Sequence, residues 1–281
     1  KNKNNLNNHL FKGLKARGIP NELRNTIFTF DYGNFKKIES IANNNRLAAI
    51  KLEVTRNDSA SLSFLKKIRA LAIKKNIVLI FDECTSGFRE TFGGIHKKYN
   101  IYPDIALYGK SIGNGYPITA MTGKNSIMEH SKSTFMSSTF WSDRIGPTAG
   151  LATLKEMQRI KSWEIISDIG KKIKKEWKKI SLLNKLDIHV QGISSLPNFY
   201  FKNRKNLIYK TFITQEMLKR NILANMAVYV CIDHNEKILD TYFDNLNDIF
   251  NIISKNNSNE ELLQLLDKMV IDDFKKNNII I

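Results

Sequence analysis

The stretch IVLIFDE (Ile77–Glu83) sets the strongest limit on what this chain can fold into. Its apolar residues run without alternation, so a strand formed here must be covered on both faces, the pattern of a buried strand in a parallel sheet. Parallel neighbours need a crossover connection, and the sequence supplies one just upstream. RLAAIKLEV (Arg46–Val54) reads as a short strand. SASLSFLKKIRALAIKKN follows, with Leu62, Leu65, Ile68 and Leu71 expected on one helical face and Lys66, Lys67, Lys74 and Lys75 away from it. Asp58 or Ser59 is the expected N-cap. Strand, helix and strand at this spacing form a βαβ unit, right-handed by default.

DIALYG (Asp104–Gly109) and PITAMTG (Pro117–Gly123) are the next strand candidates. From Ser142 the pattern is helical past Lys179, with Pro147 tolerable only near the helix's first turn. After Leu186 the texture changes. DIHVQG, PNFYFKN and AVYVCID read as strands and TQEMLKRN as a helix. NEKILDTYFDNLNDIFNIISKN reads as an amphipathic helix, and Ser258 with Glu261 forms a capping box before the last one. The expected fold class is α/β, with a partial large domain carrying a mostly parallel sheet over residues 1–160 and a small α+β domain over 161–281.

Composition narrows the function classes. Of 281 residues, 42% are hydrophobic and 10% aromatic, the profile of a folded globular chain. The net charge of +17 raises the question of a nucleic-acid partner. Yet the lysines of KKIKKEWKK and FLKKIRALAIKK sit at polar helix positions without aromatic interleaving, so no nucleic-acid partner is expected. No apolar run approaches the roughly 20 residues that span a bilayer, and no membrane association is expected. Cys84 and Cys231 form neither a disulfide framework nor a metal-spacing pattern, which suits the cytoplasm. His96, His130, His189 and His234 show no ligand spacing and read as ordinary polar residues.

Ligands of parallel α/β sheets bind at the carboxyl ends of the strands. Two such ends carry chemistry here. Asp82 and Glu83 close one strand, and Lys110 stands just past another. A lysine held in a mostly buried pocket gives up its charge more readily and can form a Schiff base with a carbonyl. If that carbonyl belongs to pyridoxal phosphate (PLP), the ring nitrogen needs an anionic partner, a role suited to a strand-end Asp such as Asp82. Gly109, Gly113 and Gly115 would let backbone pass close to such a ligand.

Three segments in order, LIFDECTSGFRETFGG, PDIALYGKSIGNGYPITAMTG and SSTFWSDRIGPTAGLATLKEM, resemble the class III aminotransferases of PLP fold type I. The branch around glutamate-1-semialdehyde aminomutase is the most similar in motif. The resemblance covers residues 18 to 160 well and the rest by general pattern. It implies that Lys110 is the Schiff-base lysine and Asp82 the pyridine-nitrogen partner. It makes Thr139 a ligand to the cofactor phosphate across a homodimer interface, and Glu53 the acid of a neighbouring strand. Cys84 stands where the family carries a valine packed on the ring; a small thiol can fill that place. Val54, Asn114 and the WSD of Trp141–Asp143 also depart from the family pattern. A long segment preceding GIPNELRNTIFTFDYGNF in the family is not found here, so the chain is expected to be the C-terminal portion of a longer protein.

The expected activity is therefore transamination between a small-molecule amino donor and a keto or aldehyde acceptor. A 2,1-aminomutase and a non-catalytic truncated remnant are the alternatives. Glu83 is expected to be structural. Arg89 could meet a substrate carboxylate or pair with a neighbouring acid. Tyr116 and Trp141 are candidates for a pocket wall or for packing.

Overall fold

A computed structural model describes residues 17–55, 61–140, 142–202, 206–256 and 259–267. The described residues divide into two compact units, one within residues 17–47 and one within residues 48–267. In the first, a short 3-10 turn over Asn21–Leu23 precedes helix α1 (Phe35–Asn44). The Asn34 side chain caps α1 by accepting from the Lys37 N–H, and the helix buries Ile38 and Ala42.

The second unit opens with the βαβ crossover read from the sequence. Strand β1 (Ala49–Glu53), helix α2 (Leu62–Lys75) and strand β2 (Val78–Asp82) follow in order. Strand β3 (Ile105–Tyr108) and strand β4 (Ala120–Gly123) complete a sheet of order β1-β2-β3-β4. The first three strands are parallel and β4 is antiparallel to β3. Leu79 and Phe81 on β2 are fully buried, as are Leu65 and Ile68 on α2. Ser61 caps α2 through the Phe64 N–H, while the predicted caps Asp58 and Ser59 lie outside the described residues. Leu62 is 43% exposed, contrary to expectation. The buried residues Phe64, Leu65, Ile68, Leu71 and Ala72 form an arc centred on Ile68, and Leu62 lies about 120° from that centre at 3.6 residues per turn.

A short helix α3 (Asn125–Met128) follows β4. The single long helix expected from Ser142 onward is two helices, α4 (Ile145–Ile160) and α5 (Ser162–Leu183). Lys161 separates them in the left-handed region at φ 52°, ending α4 with an N–H to the Met157 carbonyl. Polar lysine fits the helical pattern on either side, so the break left no mark in the sequence. Pro147 is the third residue of α4, inside its first turn as required.

Strands β5 (Ile188–Gln191) and β6 (Asn198–Phe201) form an antiparallel pair, followed by helices α6 (Asn206–Lys219), α7 (Glu236–Lys255) and α8 (Asn259–Gln264). AVYVCID is not a strand. It makes an isolated bridge from Ala227 to Asn198, and its Val228 and Val230 N–H groups donate to Pro197 and Ser195, which lie in the turn before β6 rather than on it. Irregular partners of this kind satisfy the backbone without a ladder. This half has its own aromatic core, with Trp177, Phe199, Phe201, Phe212 and Phe250 buried. The Trp177 indole donates to the Tyr242 hydroxyl at 2.9 Å, satisfying both groups inside it. Ser258 of the expected capping box lies outside the described residues. No helix among the described residues is long and apolar enough to cross a membrane.

Candidate active site

The parallel register brings the chemistry-bearing residues to one edge. Glu53 pairs with Asp82, and Asp82 pairs with Leu107, so the last residues of β1 and β2 are level with the end of β3. Lys110 follows β3 after Gly109 and opens a 3-10 turn, Lys110–Ile112. Its own φ of 50° is left-handed, an uncommon conformation for a residue with a Cβ. Close packing behind the turn explains Gly113, whose added Cβ would collide with the Tyr116 carbonyl; Gly115 turns the chain at φ 104°.

Asp82 is partly covered, its side chain 22% exposed. One carboxylate oxygen accepts from the Cys84 N–H at 3.1 Å and the other pairs with Lys51 Nζ at 3.0 Å. Burial pushes the Asp82 carboxyl up, but the Lys51 bond and the Cys84 N–H outweigh it and hold it below the ordinary carboxylate value. Asp82 is thus an anion at the sheet edge. The Cys84 thiol is pushed up by burial and by the adjacent Asp82 carboxylate, while Lys110 and Lys51 pull it the other way. Its Sγ lies 3.5 Å from where a Cβ on Gly109 would stand. Cys84 therefore sits between the acid and the lysine, within the electrostatic reach of both.

The Lys110 amine donates to the Thr85 hydroxyl at 2.8 Å. The Thr85 carbonyl in turn accepts from Arg89 Nε at 2.9 Å. The loop carrying Thr85 is held by Glu83, which is fully buried. The Glu83 carboxylate meets four groups: the Ser86 hydroxyl, the Ile95 N–H at 3.0 Å, the His96 N–H at 3.1 Å and His96 Nδ1 at 2.8 Å. Glu83 is structural, as expected. His96 is not an ordinary surface residue but a buried partner of that carboxylate, 6% exposed. Its role depends on a contact 13 residues back along the chain, which spacing rules for metal ligands do not detect.

One expectation is corrected, and one open alternative finds no support. Lys110 is exposed rather than mostly buried, standing past the end of β3 with its amine on the Thr85 hydroxyl. Arg89 pairs with no acid among the described residues; its bond is to a carbonyl, and its guanidinium carbon lies 5.3 Å from the centre of the Tyr229 ring. Thr139 lies exposed in the segment before α4 and is not brought into the hydrogen bonds around Lys110 and Asp82 within this chain. Tyr116 is 55% exposed. Trp141 lies outside the described residues. Thr85 and Lys51 are the site residues that sequence reasoning missed. Thr85 lies within the DECTSGFR motif, three residues past Asp82, and was the nearest available signal.

Residues 34–214 match the family described as Aminotransferase class-III. The chain is 31% identical over 265 residues to glutamate-1-semialdehyde 2,1-aminomutase of Wigglesworthia glossinidia brevipalpis, covering 85% of this chain and 60% of that protein. It is 28% identical to 3-aminobutyryl-CoA aminotransferase of Cloacimonas acidaminovorans (strain Evry), covering 79% of this chain and 57% of that protein. The chain thus spans about 60% of the length of the curated relatives it matches. Among solved structures, the FumI protein of Sphingopyxis sp. MTA144 with its PLP superposes with a TM-score of 0.77 at 18% identity, over 83% of this chain and 58% of that one. An omega-transaminase from Sphaerobacter thermophilus gives the same TM-score at 18% identity, over 83% and 59%. The fold is that of PLP fold type I transaminases.

Proposed function

We propose that this chain, which belongs to the class-III aminotransferases, serves the transfer of an amino group with pyridoxal phosphate. The observation that carries the proposal is the Asp82–Cys84–Lys110 arrangement at the ends of two adjacent parallel strands. The residues present fit the cofactor's ring and aldehyde. Asp82 is an anion for the ring nitrogen, Lys110 is a primary amine for the aldehyde carbon, and Cys84 is a small apolar group between them. Bound PLP supplies an aldehyde that captures amines and a ring that accepts an electron pair.

The chain's own residues do the rest. Asp82 would hold a proton on the ring nitrogen while keeping its own negative charge, helped by the Cys84 N–H. Lys110 would hold the cofactor at its aldehyde carbon, and its amine would serve as the base for the proton at the substrate Cα. Thr85 positions the Lys110 amine between these tasks. Lys51, more than half exposed, pairs with the same Asp82 carboxylate that would face the ring nitrogen. Thr139, exposed in this chain, would serve as a ligand to the cofactor phosphate across a homodimer interface.

Borohydride trapping tests the reading. The chain is mixed with PLP, reduced and digested, and the adducts are mapped by mass spectrometry. A dominant adduct on Lys110 that disappears in Lys110→Ala supports it. Adducts spread evenly over surface lysines reject it. An aminomutase is the second reading, favoured by the 31% identity to a glutamate-1-semialdehyde 2,1-aminomutase. Product formation without any added keto acceptor selects the mutase, and a strict need for an acceptor selects the transaminase.

A further inference from the structure

A cavity of about 220 Å³ lies among the 3-10 turn over Ile95–Tyr99, helix α5 and the turn that follows β5. None of its described lining residues is Lys110, Asp82 or Thr85. Its volume is below the roughly 300–1,000 Å³ of pockets that take drug-sized molecules, so its ligand is small. The charged residues that line it are Glu90, Lys98 and Lys174.

These charges do not balance. The Glu90 side chain is 9% exposed; one of its oxygens pairs with Lys98 Nζ and the other accepts the Ser195 N–H at 3.3 Å. Both oxygens are thereby used, and Lys98 cancels the Glu90 charge. Lys174 is only partly exposed, and no carboxylate lies within ion-pair distance of it among the described residues; its ammonium donates to the Gly192 carbonyl. Burial pulls the Lys174 ammonium below the ordinary lysine value, and the Glu90 charge offsets this only in part. A partly desolvated ammonium with one neutral acceptor lacks a counter-charge.

Donors without acceptors border the same space. Gly192 turns the chain at φ 82°, and a Cβ added there would stand 2.4 Å from the Leu196 carbonyl oxygen, so the turn is tight. The next two N–H groups, those of Ile193 and Ser194, make no hydrogen bond among the described residues, and both residues line the cavity. Successive backbone N–H groups in a turn form anion-binding concavities. Burial and the Glu90 and Glu83 charges push the Tyr99 phenol up, so its hydroxyl keeps its proton and remains a donor. In the same turn as Ile193, the Ser195 hydroxyl is fully buried and has no partner.

We infer that this cavity binds a small oxyanion, with Lys174 as its counter-charge and the Ile193 and Ser194 N–H groups and the Tyr99 hydroxyl as its donors. The bound ion joins α5 and the turn after β5 to the segment that carries Glu90 and Lys98. None of these residues serves the cofactor reading, and the site stands apart from it.

Calorimetric titration with inorganic phosphate tests the inference, in about 0.2 M sodium chloride to screen the exposed lysines. Saturable phosphate binding that depends on Lys174 is expected. Lys174→Met should weaken it about tenfold or more, and Lys174→Arg, which keeps the cation, should hold it within about threefold. Glu90→Gln frees Lys98 from its partner and keeps an acceptor for the Ser195 N–H. It should tighten phosphate about threefold or more, a gain that a merely structural role does not produce, and it serves if Lys174→Met fails to fold. No phosphate binding by the parent, a folded Lys174→Met that binds like the parent, or a Glu90→Gln that binds no tighter overturns the inference. Glycerol 3-phosphate separates two sources of the group. Affinity within about tenfold of phosphate marks a phosphate ester as the ligand, and a greater loss marks the free ion.

Discussion

The Lys110 amine is tied to the Thr85 hydroxyl at 2.8 Å, so the lysine past β3 is positioned by a loop that belongs to β2. The bond crosses between neighbouring strands and links the group next to Asp82 to the group next to Gly109. Because the Thr85 carbonyl also holds Arg89, one residue sets the spacing of two cationic side chains.

Replacing Thr85 with Val removes the acceptor for Lys110 but keeps the shape of the side chain and the carbonyl used by Arg89. A hydrogen bond of about 1 kcal/mol corresponds to roughly a fivefold change in occupancy. The Lys110 share of borohydride-trapped PLP should therefore fall by about fivefold relative to surface lysines. Peptide mapping reads this directly, and an unchanged share would show that Thr85 does not position the amine. Thermal melting checks that the fold is retained.

Glu83→Gln leaves the buried Ser86, Ile95 and His96 groups facing a neutral amide with only one acceptor oxygen. The expected loss is about 3 kcal/mol, because a buried carboxylate with several charge-assisted bonds is removed while its donors stay. Urea unfolding measures it. A loss under about 1 kcal/mol would mean that the loop relaxes and finds other partners.

Asp104 supplies a pH dependence. It is 5% exposed and accepts from Arg69 at 2.9 Å, the Leu79 N–H at 2.8 Å and Lys124 at 2.7 Å. Burial pushes its carboxyl up, but the Arg69 and Lys124 bonds outweigh burial and the net value lies below the ordinary one. The folded form therefore releases this proton more readily than the unfolded chain. Its stabilisation is complete above the unfolded value of about 3.9 and is lost as pH falls from there through the lower folded value. Asp104→Asn should be less stable at neutral pH and should lose less stability on acidification across that range. Denaturant midpoints measured from pH 6 to 2.5 test this, and parallel curves for parent and variant would reject it.

The βαβ unit was legible in the sequence because each of its parts is a local pattern. The unbroken apolar run of Ile77–Phe81 demanded a buried strand, and the periodicity around Ile68 demanded a helix packed on it. Asp82 and Lys110 were legible as site candidates because strand ends are predictable once strands are. Helix boundaries were less so. Lys161 ends α4 through a positive φ that no glycine announces. The segment 226–230 has the composition of a strand, yet its N–H groups meet a turn instead of a ladder.

The sequence by itself determined the βαβ unit, the acid and the lysine at the strand ends, and the family to which the motifs point. All of these depend on residues close together in the chain. Tertiary structure alone decided the partners. Thr85 meets Lys110 from 25 positions away, His96 closes on Glu83 inside the core, and Lys51 reaches Asp82 from the neighbouring strand. Among the described residues Arg89 has no acid partner, and it lines a cleft whose walls come from distant segments. Hydrogen bonds and ion pairs act over a few ångströms, and those distances are set by parallel register and loop packing, which no local pattern encodes.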